Sequence, residues 1–94
     1  LGDQAAPYAV GTHPFIRVGA HAVDDLTITA RTVEHVMVDD RLNPVGFEPA
    51  VGEWDLTEGR VVGELALDDA FRLQPDADGV TRTVLSAADG TETE

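Results

Sequence analysis

The side chains of this chain that could move protons are three histidines and several acidic pairs, and their neighbours differ. His13 sits in the stretch from Pro7 to Val18. In an extended segment side chains alternate between faces, so Ala9, Gly11 and His13 share one side while Tyr8, Val10 and Thr12 share the other. Ala9 and Gly11 leave room beside the imidazole, which a ligand approaching a sheet face needs. Pro14 cannot donate to a ladder, which predicts a bulge or an irregular edge directly after His13. Spacing alone favours a structural histidine at a strand end over an acid–base one. His35 lies among apolar neighbours, and a packed, hydrogen-bonded role is favoured there over catalysis. His21 falls in a connection and is assigned no role.

The acidic pairs divide in the same way. Asp39 and Asp40 have the form of a metal or acid–base dyad, but the Asn43-Pro44 step and Gly46 after them favour a solvated turn. Asp68 and Asp69 interrupt an apolar stretch between Leu67 and Phe71, where an unpaired buried carboxylate would be costly. One of the two can hydrogen-bond ligand hydroxyls, and the other can face water or cap the local backbone. Asp76-Ala77-Asp78-Gly79 resembles the start of a calcium loop, yet no further ligands follow at the required spacing, so a hairpin turn is expected. Trp54 could stack on a sugar ring, although a loop anchored to the core is the commoner use of such a residue.

The elements that must position these groups are strands and turns, with no convincing helix. Leu26, Ile28 and Ala30 alternate with Thr27, Thr29 and Arg31 as a half-buried strand does. Thr32 to Val38 continues as a β-branched strand with Val33, His35 and Met37 on one face and Glu34, Val36 and Val38 on the other. Pro49 and Gly52 make the stretch from Phe47 to Trp54 a short edge strand or an ordered loop. Thr57 to Arg60 reads as a turn, Val80 to Ser86 as the last clear strand, and Asp89-Gly90 as a hairpin turn. The opening Leu1 to Gln4 runs directly into a strand, and the final turn launches one that stops at Glu94. Both ends therefore read as cut from a longer protein.

Composition bounds the function. At 94 residues the chain is one domain at most, and without cysteine it has neither disulfide staples nor thiolate metal sites. Eighteen acidic residues against six basic ones give a formal net charge of −12, a surface that repels nucleic acid and anionic lipid. All the basic residues are arginine, a compositional habit rather than a motif. No apolar run reaches the roughly 20 residues of a membrane span and no signal peptide opens the chain, so a soluble, cytoplasmic protein is expected.

Three stretches in register carry a resemblance. Tyr8-Ala9-Val10-Gly11-Thr12-His13-Pro14-Phe15-Ile16-Arg17-Val18, then Val38-Asp39-Asp40-Arg41-Leu42-Asn43-Pro44-Val45-Gly46, then Leu67-Asp68-Asp69-Ala70-Phe71, resemble the middle section of the aldose 1-epimerase (galactose mutarotase) family in its bacterial branch. The likeness implies an all-β fold, an antiparallel β-sandwich of the galactose mutarotase-like supersandwich type, of which residues 1–94 would be roughly a third. It implies interconversion of the α and β anomers of a free aldose by ring opening and reclosure, with a general base at the anomeric hydroxyl and a general acid at the ring oxygen. No cofactor or metal is called for. The resemblance puts His13 at the acid position, where an imidazole can give and retake a proton. It puts Asp68 at the substrate-holding position, where a carboxylate accepts hydrogen bonds from sugar hydroxyls.

Phe15 stands where many members have Tyr, and Asp69 where many have His, which bears on sugar preference more than on reaction type. The family's Glu base would follow this segment, and its Arg and second His would precede it. The isolated segment is therefore expected to be inactive. Two alternatives stay open: a hexose-6-phosphate 1-epimerase of the same fold, for which only Arg17 is at hand, and a non-catalytic carbohydrate-binding module. The expected partners are a small aldohexose and, through exposed edges, a second copy or the rest of the parent chain, with no nucleic acid or membrane.

Overall fold

The computed structural model describes residues 2–94. Among them the chain forms seven strands: β1 (Thr27–Ala30), β2 (Thr32–Val38), β3 (Pro44–Pro49), β4 (Arg60–Val61), β5 (Phe71–Leu73), β6 (Thr83–Ser86) and β7 (Glu92–Thr93). They build two antiparallel sheets, ordered β4-β1-β6-β7 and β3-β2-β5. No α-helix occurs among the described residues; the helical turns are short 3-10 turns at Val23–Asp25, Gly52–Trp54 and Val62–Glu64.

The division into two sheets happens across a single residue. β1 and β2 are separated only by Arg31, yet they belong to different sheets. The backbone polar groups at the crossing are satisfied from elsewhere: Ala30 N–H donates to Leu56 O at 3.1 Å, and Gln74 N–H donates to Arg31 O at 2.8 Å. The buried Thr32 hydroxyl ties the same corner, donating to Trp54 O at 2.7 Å and accepting from Leu56 N–H at 3.1 Å. Buried backbone groups are costly unless paired, so this network is what lets the chain leave one sheet and enter the other.

The core is small. Val18, Leu26 and Ala87 form its centre, with Val62 and Leu85 packed against it. Two glycines permit the close approaches around it. At Gly63 a Cβ would stand 2.9 Å from Asp24 O, so only glycine lets the 3-10 turns at Val23–Asp25 and Val62–Glu64 touch. At Gly59, φ is +87° and a Cβ would meet Thr27 Cγ2 at 2.9 Å, so the turn leading into β4 needs glycine for conformation and for space.

The turns follow their sequence signals. Asp39 Oδ1 accepts the N–H groups of Arg41 and Asn43, Asp76 Oδ1 accepts those of Asp78 and Val80, and Asp89 Oδ1 accepts that of Thr91. The Asp39–Asp40 pair is thus a turn, and Asp76–Gly79 is closed by its own backbone and by the ion pair of Asp76 with Arg82.

The N-terminal expectation is corrected. Among the described residues no strand forms before Thr27, so the strand expected across Pro7–Val18 and the bulge expected after His13 are absent. Pro7 and Pro14 each remove a ladder donor, and no described strand pairs with this stretch. Residues 2–17 are exposed throughout, with Tyr8 at 86% and Phe15 at 94%. This stretch accounts for much of an accessible surface of 7574 Å², against about 5,200 Å² for a compact monomer of this mass. The radius of gyration is likewise 16.0 Å rather than about 12 Å. No helix among the described residues is long and apolar enough to cross a membrane.

Candidate functional site

β2 is the middle strand of the three-stranded sheet, and His35 is its buried polar residue opposite both neighbours. The register sets His35 against Glu48 of β3 on one side and against Phe71 of β5 on the other. Its ring nitrogens are both taken by carboxylates: Nδ1 lies 2.9 Å from Glu48 Oε1, and Nε2 lies 2.6 Å from Asp69 Oδ1. The Trp54 ring stacks on the imidazole with centroids 3.8 Å apart and planes within 7°, and Phe71 leans on it at 5.7 Å. Trp54 is held in place through its carbonyl by Thr32. The tryptophan thus anchors the loop to the core, the commoner of the two roles open to it.

Two carboxylate acceptors, one on each ring nitrogen, require two N–H donors, and only the imidazolium has both. The hydrogen bond to Asp69 and then that to Glu48 raise the His35 pKa above its ordinary value of 6.5, against the opposing effect of burial. The native state therefore holds this proton more tightly than the unfolded chain. The stability the bridge contributes is complete below pH 6.5 and is lost as pH rises through the raised native value. Asp39, Asp55 and Asp89 act in the opposite sense. Backbone N–H bonds, from Asn43 and Arg41, from Thr57, and from Thr91 respectively, lower their pKa values below 3.8. Their contribution is present above pH 3.8 and lost as pH falls through the lowered values. Thermal unfolding followed across pH should give a maximum on the acid side of neutrality, with a decline above it that is smaller in Glu48→Gln. A Tm that stays level as pH passes neutrality would contradict the bridge.

Asp69 serves a second partner. Its Oδ2 accepts the N–H of Asp68 at 3.0 Å, so one carboxylate joins His35 to the Asp68 peptide. The carboxylate of Asp68 itself makes no hydrogen bond or ion pair with any described residue. It lines two clefts. One, of about 400 Å³, has walls from Ala30, Leu56, Phe71 and Leu73, and the other, of about 320 Å³, lies beside Val36, Val38 and Leu42. The pair thus divides: both oxygens of Asp69 are hydrogen-bonded, and the Asp68 carboxylate has no partner among the described residues.

His13 is not brought to this place. It lies in the exposed N-terminal stretch beside Phe15, with ring centroids 5.1 Å apart, and lines neither cleft that Asp68 lines. A further cleft of about 540 Å³ is formed by residues 16–23 and Leu26, with Arg17 and His21 in its wall. His21, given no role from sequence, binds Asp89 Oδ2 through Nε2 at 3.0 Å. No cluster of side chains suited to a metal ion occurs among the described residues.

The Glu48–His35–Asp69 bridge was not visible in the sequence beyond the expectation of a satisfied histidine, because its partners lie 13 and 34 residues away. The alternation of His35 with Val36 placed it on a defined face; only the strand register could supply the acids. Compared with known proteins, the chain matches no family model, no curated protein and no solved structure.

Proposed function

We propose that this chain is part of a sugar anomerase of the aldose 1-epimerase type, its two sheets belonging to a mutarotase-like β-sandwich. The observation that supports the reading best is the exposed, unpartnered carboxylate of Asp68 beside two clefts, next to Asp69, which lines the same clefts but has each carboxylate oxygen hydrogen-bonded within the protein. A free carboxylate held at its own peptide N–H is suited to accept hydrogen bonds from neighbouring sugar hydroxyls. The resemblance puts the general acid, which protonates the ring oxygen as the anomeric C–O bond of the ring breaks and recovers the proton on reclosure, at His13, although the described residues do not bring His13 to the clefts that Asp68 lines. The general base lies outside the stretches that carry the resemblance, so turnover belongs to the protein that contains this segment and not to the 94 residues alone.

The test is polarimetric, on freshly dissolved α-D-galactose or α-D-glucose with the full-length protein. Equilibration should be accelerated, and Asp68→Asn should raise KM about tenfold, the scale of one hydrogen bond to a charged group, with a smaller change in kcat. No acceleration with either sugar overturns the free-aldose reading and makes hexose 6-phosphates the next substrates to try. Normal turnover with an unchanged KM in Asp68→Asn removes Asp68 from the site.

A further inference from the structure

We infer that His35 is a positioning residue for the sugar site: its imidazolium, bridging Glu48 and Asp69, fixes the carboxylate that accepts the Asp68 N–H and thereby aims the free Asp68 side chain. The inference rests on the sugar-binding role proposed for Asp68, and goes beyond it by making that role depend on the proton of His35 Nε2, a nitrogen that lies 2.6 Å from the other oxygen of Asp69.

Besides tying β2 to β3 through Glu48, the bridge fixes a stretch that has few other anchors. Asp68 and Asp69 precede β5 in a stretch that belongs to no strand, so their placement cannot come from a ladder. Val36 N–H donates to Ala70 O at 2.9 Å just after them, which pins the stretch at one point. The Asp69 side chain supplies the second point, through His35 Nε2 on one oxygen and Asp68 N–H on the other. The imidazole itself cannot turn away, since Trp54 covers its face and Glu48 holds Nδ1. The charged groups facing it are Glu48 from β3 and Asp69 from the stretch before β5; Trp54 and Phe71 carry no charge. Glu34, the adjacent acid on β2, points to the opposite face and pairs with Arg72 at 2.8 Å.

Loss of the His35 proton has a specific consequence. A neutral imidazole has one N–H, so one of the two carboxylates must give up its bond. If Asp69 is released, the Asp68 peptide loses its anchor. Asp69→Asn is the informative variant because it keeps the shape and reverses this logic. Its amide oxygen can still accept the Asp68 N–H, while its NH₂ can donate to the unprotonated Nε2 of a neutral His35 whose Nδ1–H remains on Glu48. That network is complete without the extra proton.

The experiment measures kcat and KM for D-galactose against pH in the full-length protein and in Asp69→Asn, together with the Asp68 backbone amide and the His35 ring resonances by NMR. In the wild type KM should rise about tenfold as His35 loses its proton, the loss expected for one charge-assisted hydrogen bond, and in Asp69→Asn it should stay level over the same range. A merely structural role would move Tm and leave the KM profile parallel in the two proteins. Parallel KM profiles, or a level wild-type profile, overturn the inference while leaving the sugar reading intact. Should no aldose be turned over, the sugar reading fails and the amide decides separately. An Asp68 amide that follows the His35 titration in the wild type, and not in Asp69→Asn, upholds the positioning. An amide that ignores that titration overturns it.

Discussion

His13→Ala in the full-length protein should slow anomer interconversion by about 10²–10⁴-fold, with KM for the aldose changed little. The size of the effect is that of removing a positioned proton donor, because the ring oxygen must otherwise leave as an alkoxide or be protonated by water. The structure makes this a clean experiment. His13 lies in the exposed stretch that pairs with neither sheet, and its one ring neighbour is Phe15. Truncating it removes no buried contact with the described residues, so circular dichroism and Tm should match the wild type. A variant that keeps its kcat would take the acid role away from His13.

The largest effect on stability is expected at Leu26. Its side chain is 1% exposed and packs with Val18 and Ala87 in the centre of a core that has few other members. Its backbone also works on both sides: Leu26 N–H donates to Val23 O at 3.1 Å, and Leu26 O accepts from Val62 N–H at 2.8 Å. Leu26→Ala should cost about 3 kcal/mol, lowering Tm by roughly 10 °C or more in a domain of this size. Val33→Ala, at a position 44% exposed, should change stability by no more than about 0.5 kcal/mol. Thermal or denaturant unfolding of the two variants compares them directly. A cost below about 1 kcal/mol for Leu26→Ala would mean that the three-residue cluster is not where the fold is held.

What could be read from sequence depended on the distance over which the information is stored. The alternation in Thr32–Val38 is local, and β2 has those bounds. The turn chemistry of Asp39, Asp76 and Asp89 is also local, since each carboxylate reaches backbone only two to four residues ahead. Pro49 correctly signalled an edge, for β3 is an outer strand. The stretch around His13 shows where alternation fails: a pattern compatible with a strand becomes one only if another strand takes its hydrogen bonds. Register was the missing quantity for the site. It shifts between Met37 and Val38 against β3 and between Thr32 and Glu34 against β5, and such bulges leave no plain mark on the sequence. The acids opposite His35 could therefore not be named, although the need for hydrogen-bonding partners could. For Asp68 and Asp69 the sequence offered a backbone cap for one of the pair, and Asp69 Oδ2 does accept the Asp68 N–H, but the bond of Asp69 to His35 was not foreseen.

The three-stranded sheet can finally be regarded as a receptor whose ligand is a single hydrogen ion. Glu48 and Asp69 approach His35 from the two sides of β2, so the bound ion spans the sheet from one outer strand to the stretch that leads into the other. Linkage is reciprocal. If assembling the sheet tightens its hold on that ion, then peeling β3 away, which removes Glu48 and leaves the stronger Asp69 partner, must loosen that hold. Opening of this edge is thus driven by a falling hydrogen-ion activity, much as a subunit is released when its shared ligand is withdrawn.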